Sequence, residues 1–144
     1  MGNKFDSYPY LIHTNRELSL MLKGQKPMAV FAHQKVEGFT KANALSHQDF
    51  TTHVASGLFA EHCRTHELEG PSATAVTVDY YFYTATGHDW RANAYWQVIS
   101  KLHSGRGWCA ALERLEGELL GYTDAQNDYH IAQMFPDAPC QKAK

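Results

Sequence analysis

Nine of the 144 residues are histidines, the side chain whose charge changes nearest to neutral pH. Three stretches set them beside partners that could do chemistry. In Glu61-His62-Cys63-Arg64-Thr65-His66-Glu67, His62 and His66 stand four positions apart. On a helix that spacing turns two imidazoles to one side, as a metal site requires. The zinc-protease pattern needs Glu directly after the first His, and Cys63 stands there instead. A third ligand would have to come from His47 or His130. The plainer reading, a pair of half-exposed imidazoles at the rim of an amphipathic helix, is preferred. Cys63 gains little as a nucleophile from His62, because adjacent helix residues point different ways.

The second stretch is Leu112 to Tyr122, followed by Gln126-Asn127-Asp128. Glu113 borders an apolar stripe of Leu112 and Leu115, and a half-buried Glu can act as a general base. Gly117 costs a helix about 1 kcal/mol relative to Ala, so it marks close helix packing or room for a ligand. Asp128 and His130 could complete a polar cluster. Set against this is an ordinary solvated face with Glu113, Glu116 and Arg114 in local ion pairs.

The third set depends on topology. If strands at about 28–32 and 74–84 run parallel, their carboxyl ends bring His33-Gln34-Lys35 and Tyr83 to His88 together, where open α/β sheets bind ligands. Helices starting near Ser46 and Thr86 would add free N–H groups suited to an anion. His33 and His88 are then the proton-transfer groups, with Glu113 as the carboxylate. Lys35, His47, Tyr83 and Arg91 are the ligand-binding set.

The elements that must position these residues follow from periodicity and caps. Four Ser/Thr residues precede an acid or amide by three: Thr14–Glu17, Ser46–Asp49, Thr86–Asp89 and Thr123–Gln126. This is the capping-box spacing, though Asp fits it less well than Glu or Gln. A helix is expected over 15–23, ended by Gly24. The run Met28 to Ala32 reads as a buried strand, followed by an irregular stretch to Ala44 with a short extended piece at Val36–Phe39. Phe50, Val54, Ala55 and Leu58 share a helical face, so a helix is expected over 47–67, ended by Gly70-Pro71. Val76, Val78, Tyr80 and Phe82 alternate with polar and tyrosine positions as a strand does. The segment 90–102 fits both periods, and the Thr86–Asp89 cap and its Ala, Asn and Gln content favour helix over a hairpin. After Gly105-Arg106-Gly107, helices are expected over 108–120, stopped by Gly121, and over 124–134.

The implied fold is α+β or α/β and helix-rich. A small sheet with a β-α-β unit is covered by four to five helices. The length suits one domain spanning 1–144, with loosely ordered ends at about 1–10 and 136–144. The net charge of −2, without long runs of one sign, argues against nucleic acid and against a polybasic membrane anchor. No stretch approaches the ~20 apolar residues that span a bilayer, and the start lacks a signal peptide's apolar segment. The three cysteines, Cys63, Cys109 and Cys140, are odd in number and widely spaced, which suits a reducing compartment. A soluble, cytoplasmic protein is expected, with homo-oligomerisation left open. GxSxG, P-loop and dinucleotide-binding patterns are absent from the sequence.

The leading functional expectation is a small enzyme or ligand-binding protein for a small anionic metabolite, using His and carboxylate for acid–base chemistry and no cofactor. One rival is a non-catalytic interaction module, an inhibitor or adaptor, working through a Tyr/Trp-rich surface. The other is a protein holding a divalent metal through His62 and His66.

Overall fold

Alternation of side chains along residues 76–83 places one strand at the centre of the molecule. The computed structural model describes residues 7–35, 38–69, 75–103 and 108–136. The elements in chain order are α1 (Glu17–Leu22), β1 (Met28–Gln34), α2 (Lys41–Ala44), α3 (Thr51–Ala55), β2 (Phe59–Glu69), β3 (Ala75–Ala85), α4 (Trp90–His103), α5 (Ala110–Leu120) and α6 (Asp124–Met134). The fold is mixed α+β. β3 is the middle strand of a three-stranded sheet, and both neighbours run antiparallel to it.

Each face of the sheet buries its own core. Tyr80 and Phe82 of β3, with Met28 of β1, pack against Ala92, Tyr95, Val98 and Ile99 of α4 and Leu119 of α5. On the other face, Tyr83, Ala29, Phe31 and Phe59 pack against Met21, Leu45 and Phe50. Phe50 and Tyr83 stack with ring centroids 4.4 Å apart. Full burial of such a side chain is worth about 1.5–3 kcal/mol, so the short α1, α2 and α3 are held by packing rather than by helix propensity.

The expected β-α-β unit does not form. β1 and β3 are adjacent but antiparallel, with His33 opposite Asp79 and Met28 opposite Thr84. The helix expected over 47–67 is replaced by α3 and β2. Ser46 and His47 take positive φ, 53° and 60°, and Gly57 follows at 85°, so the chain turns twice where a helix would continue. Beyond Gly57 the pattern has period two: His62, Arg64 and His66 are half-buried while Glu61, Cys63, Thr65 and Glu67 are exposed. The i, i+4 spacing of His62 and His66 is therefore a strand spacing.

The capping signals divide in the same way. Thr123 and Gln126 form a full capping box at the start of α6, and Thr40 and Asn43 form another at α2. Asp49 serves the short α3 by accepting from the Thr52 backbone N–H. The first residue before α1 is Arg16, with no side-chain cap. Segment 90–103 is helical. Gly24 and Gly121 do end α1 and α5, both at positive φ. Residues 1–6, Val36 of the expected extended piece, Gly70-Pro71, Gly105-Arg106-Gly107, Cys140 and the rest of 137–144 lie outside the described residues. Tyr8 and Tyr10, in the stretch expected to be loose, both have partners on α6. Among the described residues no helix is long and apolar enough to cross a membrane.

Candidate acid–base cleft

The helical hairpin α5–α6 builds the candidate site. Glu113, Glu116, Gly117 and Leu120 follow one another at helical spacing along one side of α5, and Asn127 and His130 face them from α6. The hairpin can close this tightly because position 117 has no side chain. A Cβ there would lie 2.1 Å from Asn127 Oδ1, and Asn127 is buried with its amide donating to the Tyr122 carbonyl. Tyr10, Ile12 and Thr14 of the N-terminal segment and Tyr122 after α5 complete a cleft of about 290 Å³.

A chain of hydrogen bonds runs along one side. The Trp108 indole N–H donates to Glu113 Oε1 at 2.5 Å. Glu113 Oε2 lies 2.6 Å from His130 Nε2. His130 Nδ1 lies 3.0 Å from the Tyr8 hydroxyl. A carboxylate only accepts, so Nε2 of His130 carries the proton. In the neutral ring Nδ1 is then the acceptor, and Tyr8 donates to it. Burial raises the pKa of Tyr8, with Tyr129 and Glu113 adding to the effect, so the phenol keeps its proton.

Glu116 lies beside this chain without a hydrogen bond to it among the described residues. The Tyr95 hydroxyl donates to its Oε2. Burial raises its pKa, the Tyr95 bond opposes this, the nearby Glu113 reinforces it, and His130 opposes it. Tyr10 donates to the Gln126 carbonyl at 3.0 Å and is pushed up to about 12 by burial, then by Tyr8, Tyr122 and Tyr129. Behind Tyr122, His13 stacks on its ring at 3.8 Å. Buried Lys26 holds His13 Nδ1 at 2.8 Å and the Leu120 carbonyl at 2.7 Å.

The residues expected at strand ends are dispersed. His33 sits opposite Asp79, whereas His88 lies beyond Ala85 at the other end of β3. Asp79 and Ala85 are six positions apart, or about 20 Å along a strand. His33 instead stacks on Tyr81, with Nε2 3.3 Å from its hydroxyl. Lys35 is exposed and 3.9 Å from Asp79. His47 is exposed after α2. Tyr83 is fully buried and donates to Glu61 Oε2 at 2.6 Å. Arg91 bonds the Glu118 and Leu119 carbonyls at the end of α5, and its Nε donates to His88 Nδ1. This is helix capping, which favours a cation at that terminus. His62 and His66 share a sheet face but lie four residues apart on β2, about 13 Å, too far to share one ion. His62 approaches Thr84 and Asp89, while His66 packs edge-on to Trp96. Among the described residues no three His, Cys, Asp or Glu side chains converge as a metal would need.

Of the catalytic set, then, only Glu113 enters the cleft. Its partner is His130, which the α5–α6 stretch had already placed nearby; Asp128 instead pairs with Arg114. Tyr8, Tyr10, Trp108, Glu116 and Tyr122 escaped sequence reasoning as site residues. The usable signal was two tyrosines two positions apart beside an otherwise polar start. Comparison with protein-family models, with curated proteins and with solved structures finds no match.

Proposed function

We propose that the α5–α6 cleft binds a small molecule and that Glu113, His130 and Tyr8 carry out acid–base chemistry on it. The observation that supports this reading is the continuous Trp108–Glu113–His130–Tyr8 chain, with Glu113 and His130 lining a cleft of about 290 Å³. Trp108 and the carboxylate fix the imidazole tautomer, and a fixed tautomer makes a competent base. In such a relay the substrate replaces the Tyr8 hydroxyl as the donor to His130 Nδ1 and gives up its proton there, and Glu113 stabilises the imidazolium that results. Burial raises the pKa of Tyr8, so its phenol serves to hold His130 in place, and the His130 imidazolium returns the proton in the acid step.

A small anion, the ligand expected from strand ends, has less support here. Its cations, Lys35 and Arg91, are elsewhere, and the lining brings two carboxylates instead.

The test is a ligand-observed NMR screen of small neutral, cationic and anionic metabolites in D2O, against wild type and His130→Gln. At least one compound should bind wild type and exchange or transform, with His130→Gln about 10²–10⁴-fold slower. A blank screen, or equal rates in the variant, would count against the reading.

A further inference from the structure

The remaining question about the cleft is the charge of its guest. Its lining holds the carboxylates of Glu113 and Glu116, the rings of Tyr10 and Tyr122 and the imidazole of His130, and neither Lys nor Arg among the described residues. The oxygens of Glu113 are both engaged, one by Trp108 and one by His130. Glu116 differs. Its Oε2 accepts from Tyr95, a neutral donor that is itself buried, while among the described residues none donates to Oε1. Arg114 points to Asp128 on the exposed side, and Lys26 is committed to His13 and the Leu120 carbonyl behind Tyr122. A carboxylate drawn away from water beside a second carboxylate needs a cation or a proton. Aromatic rings in the same cavity favour the cation, because their faces carry partial negative charge.

We infer that the ligand of this cleft carries a cationic nitrogen, a primary or quaternary ammonium, bound through Glu116 beside the rings of Tyr10 and Tyr122. This rests on the cleft being the ligand site, as proposed above. Glu116 is the specificity-determining residue in that role, and the Glu113–His130–Tyr8 chain stays free for proton transfer. Ammonium recognition by a carboxylate and aromatic rings needs only acceptors from the protein, and the lining supplies them.

The experiment is a ¹H–¹⁵N and aromatic ¹H–¹³C NMR titration of the full chain. The probes are tetramethylammonium and propylammonium, with propanol and propionate as neutral and anionic counterparts of similar size. The ammonium probes should shift Tyr10, Tyr122 and His130 signals saturably, while propanol and propionate do not. Glu116→Gln keeps an acceptor for Tyr95, so the fold should persist, as an unchanged spectrum away from the cleft would show. It should weaken ammonium binding at least about tenfold. Tyr10→Leu, a second variant, should weaken tetramethylammonium binding several-fold. Propanol or propionate binding as well as the ammonium probes would overturn the inference and leave the cleft as a ligand site. So would ammonium binding that Glu116→Gln leaves unchanged. No shift with the ammonium probes also overturns it, and the broader metabolite screen then decides separately whether the cleft itself survives.

Discussion

Glu113 on α5 and His130 on α6 meet at 2.6 Å with side chains only 18% and 22% exposed, and this contact ties the two helices together at the cleft. A hydrogen bond to a charged group is worth about 1.5–3 kcal/mol. Glu113→Gln should therefore lower stability by about 1–3 kcal/mol in urea denaturation. Equal midpoints and slopes for the two proteins would mean that the contact does not hold the hairpin.

At Gly117 the Asn127 side chain of α6 packs directly against α5. Replacing Gly by Ala in a helix usually gains about 1 kcal/mol. Here the new methyl would collide with Asn127, whose amide is committed to the Tyr122 carbonyl, and overpacking costs about 1–3 kcal/mol. Gly117→Ala should be destabilised in chemical denaturation and should narrow the cleft. A variant more stable than wild type would show that the hairpin has slack at this point.

Lys26 and His13 make folding sensitive to pH in a defined sense. Burial pulls Lys26 down from 10.5 to about 7, with Glu17 opposing. Burial, then Lys26, pulls His13 down from 6.5 to about 3. In each window the unfolded chain binds a proton that the folded chain does not. Stability therefore rises with pH from about 7 to about 10.5 for Lys26, and from about 3 to about 6.5 for His13. Read the other way, acidification destabilises the protein in both windows. Urea midpoints measured from pH 4 to 9.5 should rise less steeply for Lys26→Met above pH 7, and less steeply for His13→Gln below pH 6.5. Curves parallel to wild type would remove these two groups as the cause.

Tyr83 is a structural tyrosine. Its hydroxyl donates to Glu61, which Lys41 also holds, and its pKa is raised by burial and by Glu61. Tyr83→Phe keeps the ring in place and should cost about 1.5–3 kcal/mol, read by thermal or urea unfolding. No loss would show that Lys41 alone satisfies Glu61.

Local signals in the sequence carried far where the chain is locally self-consistent. α6 begins and ends where its capping box and apolar spacing place it, and β1 and β3 lie where their apolar runs do. Glu113, Gly117 and His130 were legible together because one hairpin brings them close without any choice of topology. The 47–67 segment reads as one helix because Phe50, Val54 and Leu58 repeat at helical spacing, although α3 ends at Ala55 and Leu58 lies in the turn before β2. The decisive features, left-handed Ser46 and His47, are residue types that do not announce a positive φ. With β2 in place of that helix, β1 and β2 flank β3 antiparallel instead of forming β-α-β, and His33 lies far from His88. Tyr8 and Tyr10 could not be placed at the site from local pattern because their roles depend on long-range docking, Tyr8 to His130 spanning 122 positions, whereas Trp108 reaches Glu113 from only five positions away.

The proton on His130 tests the proposed chain most directly. Long-range ¹H–¹⁵N NMR of the imidazole near pH 8 should show one neutral tautomer, protonated at Nε2, with Nδ1 as acceptor. Glu113→Gln should shift that balance toward the Nδ1–H form. An imidazole protonated at Nδ1 in wild type, or a tautomer mixture that Glu113→Gln leaves unchanged, would contradict the Glu113–His130–Tyr8 relay.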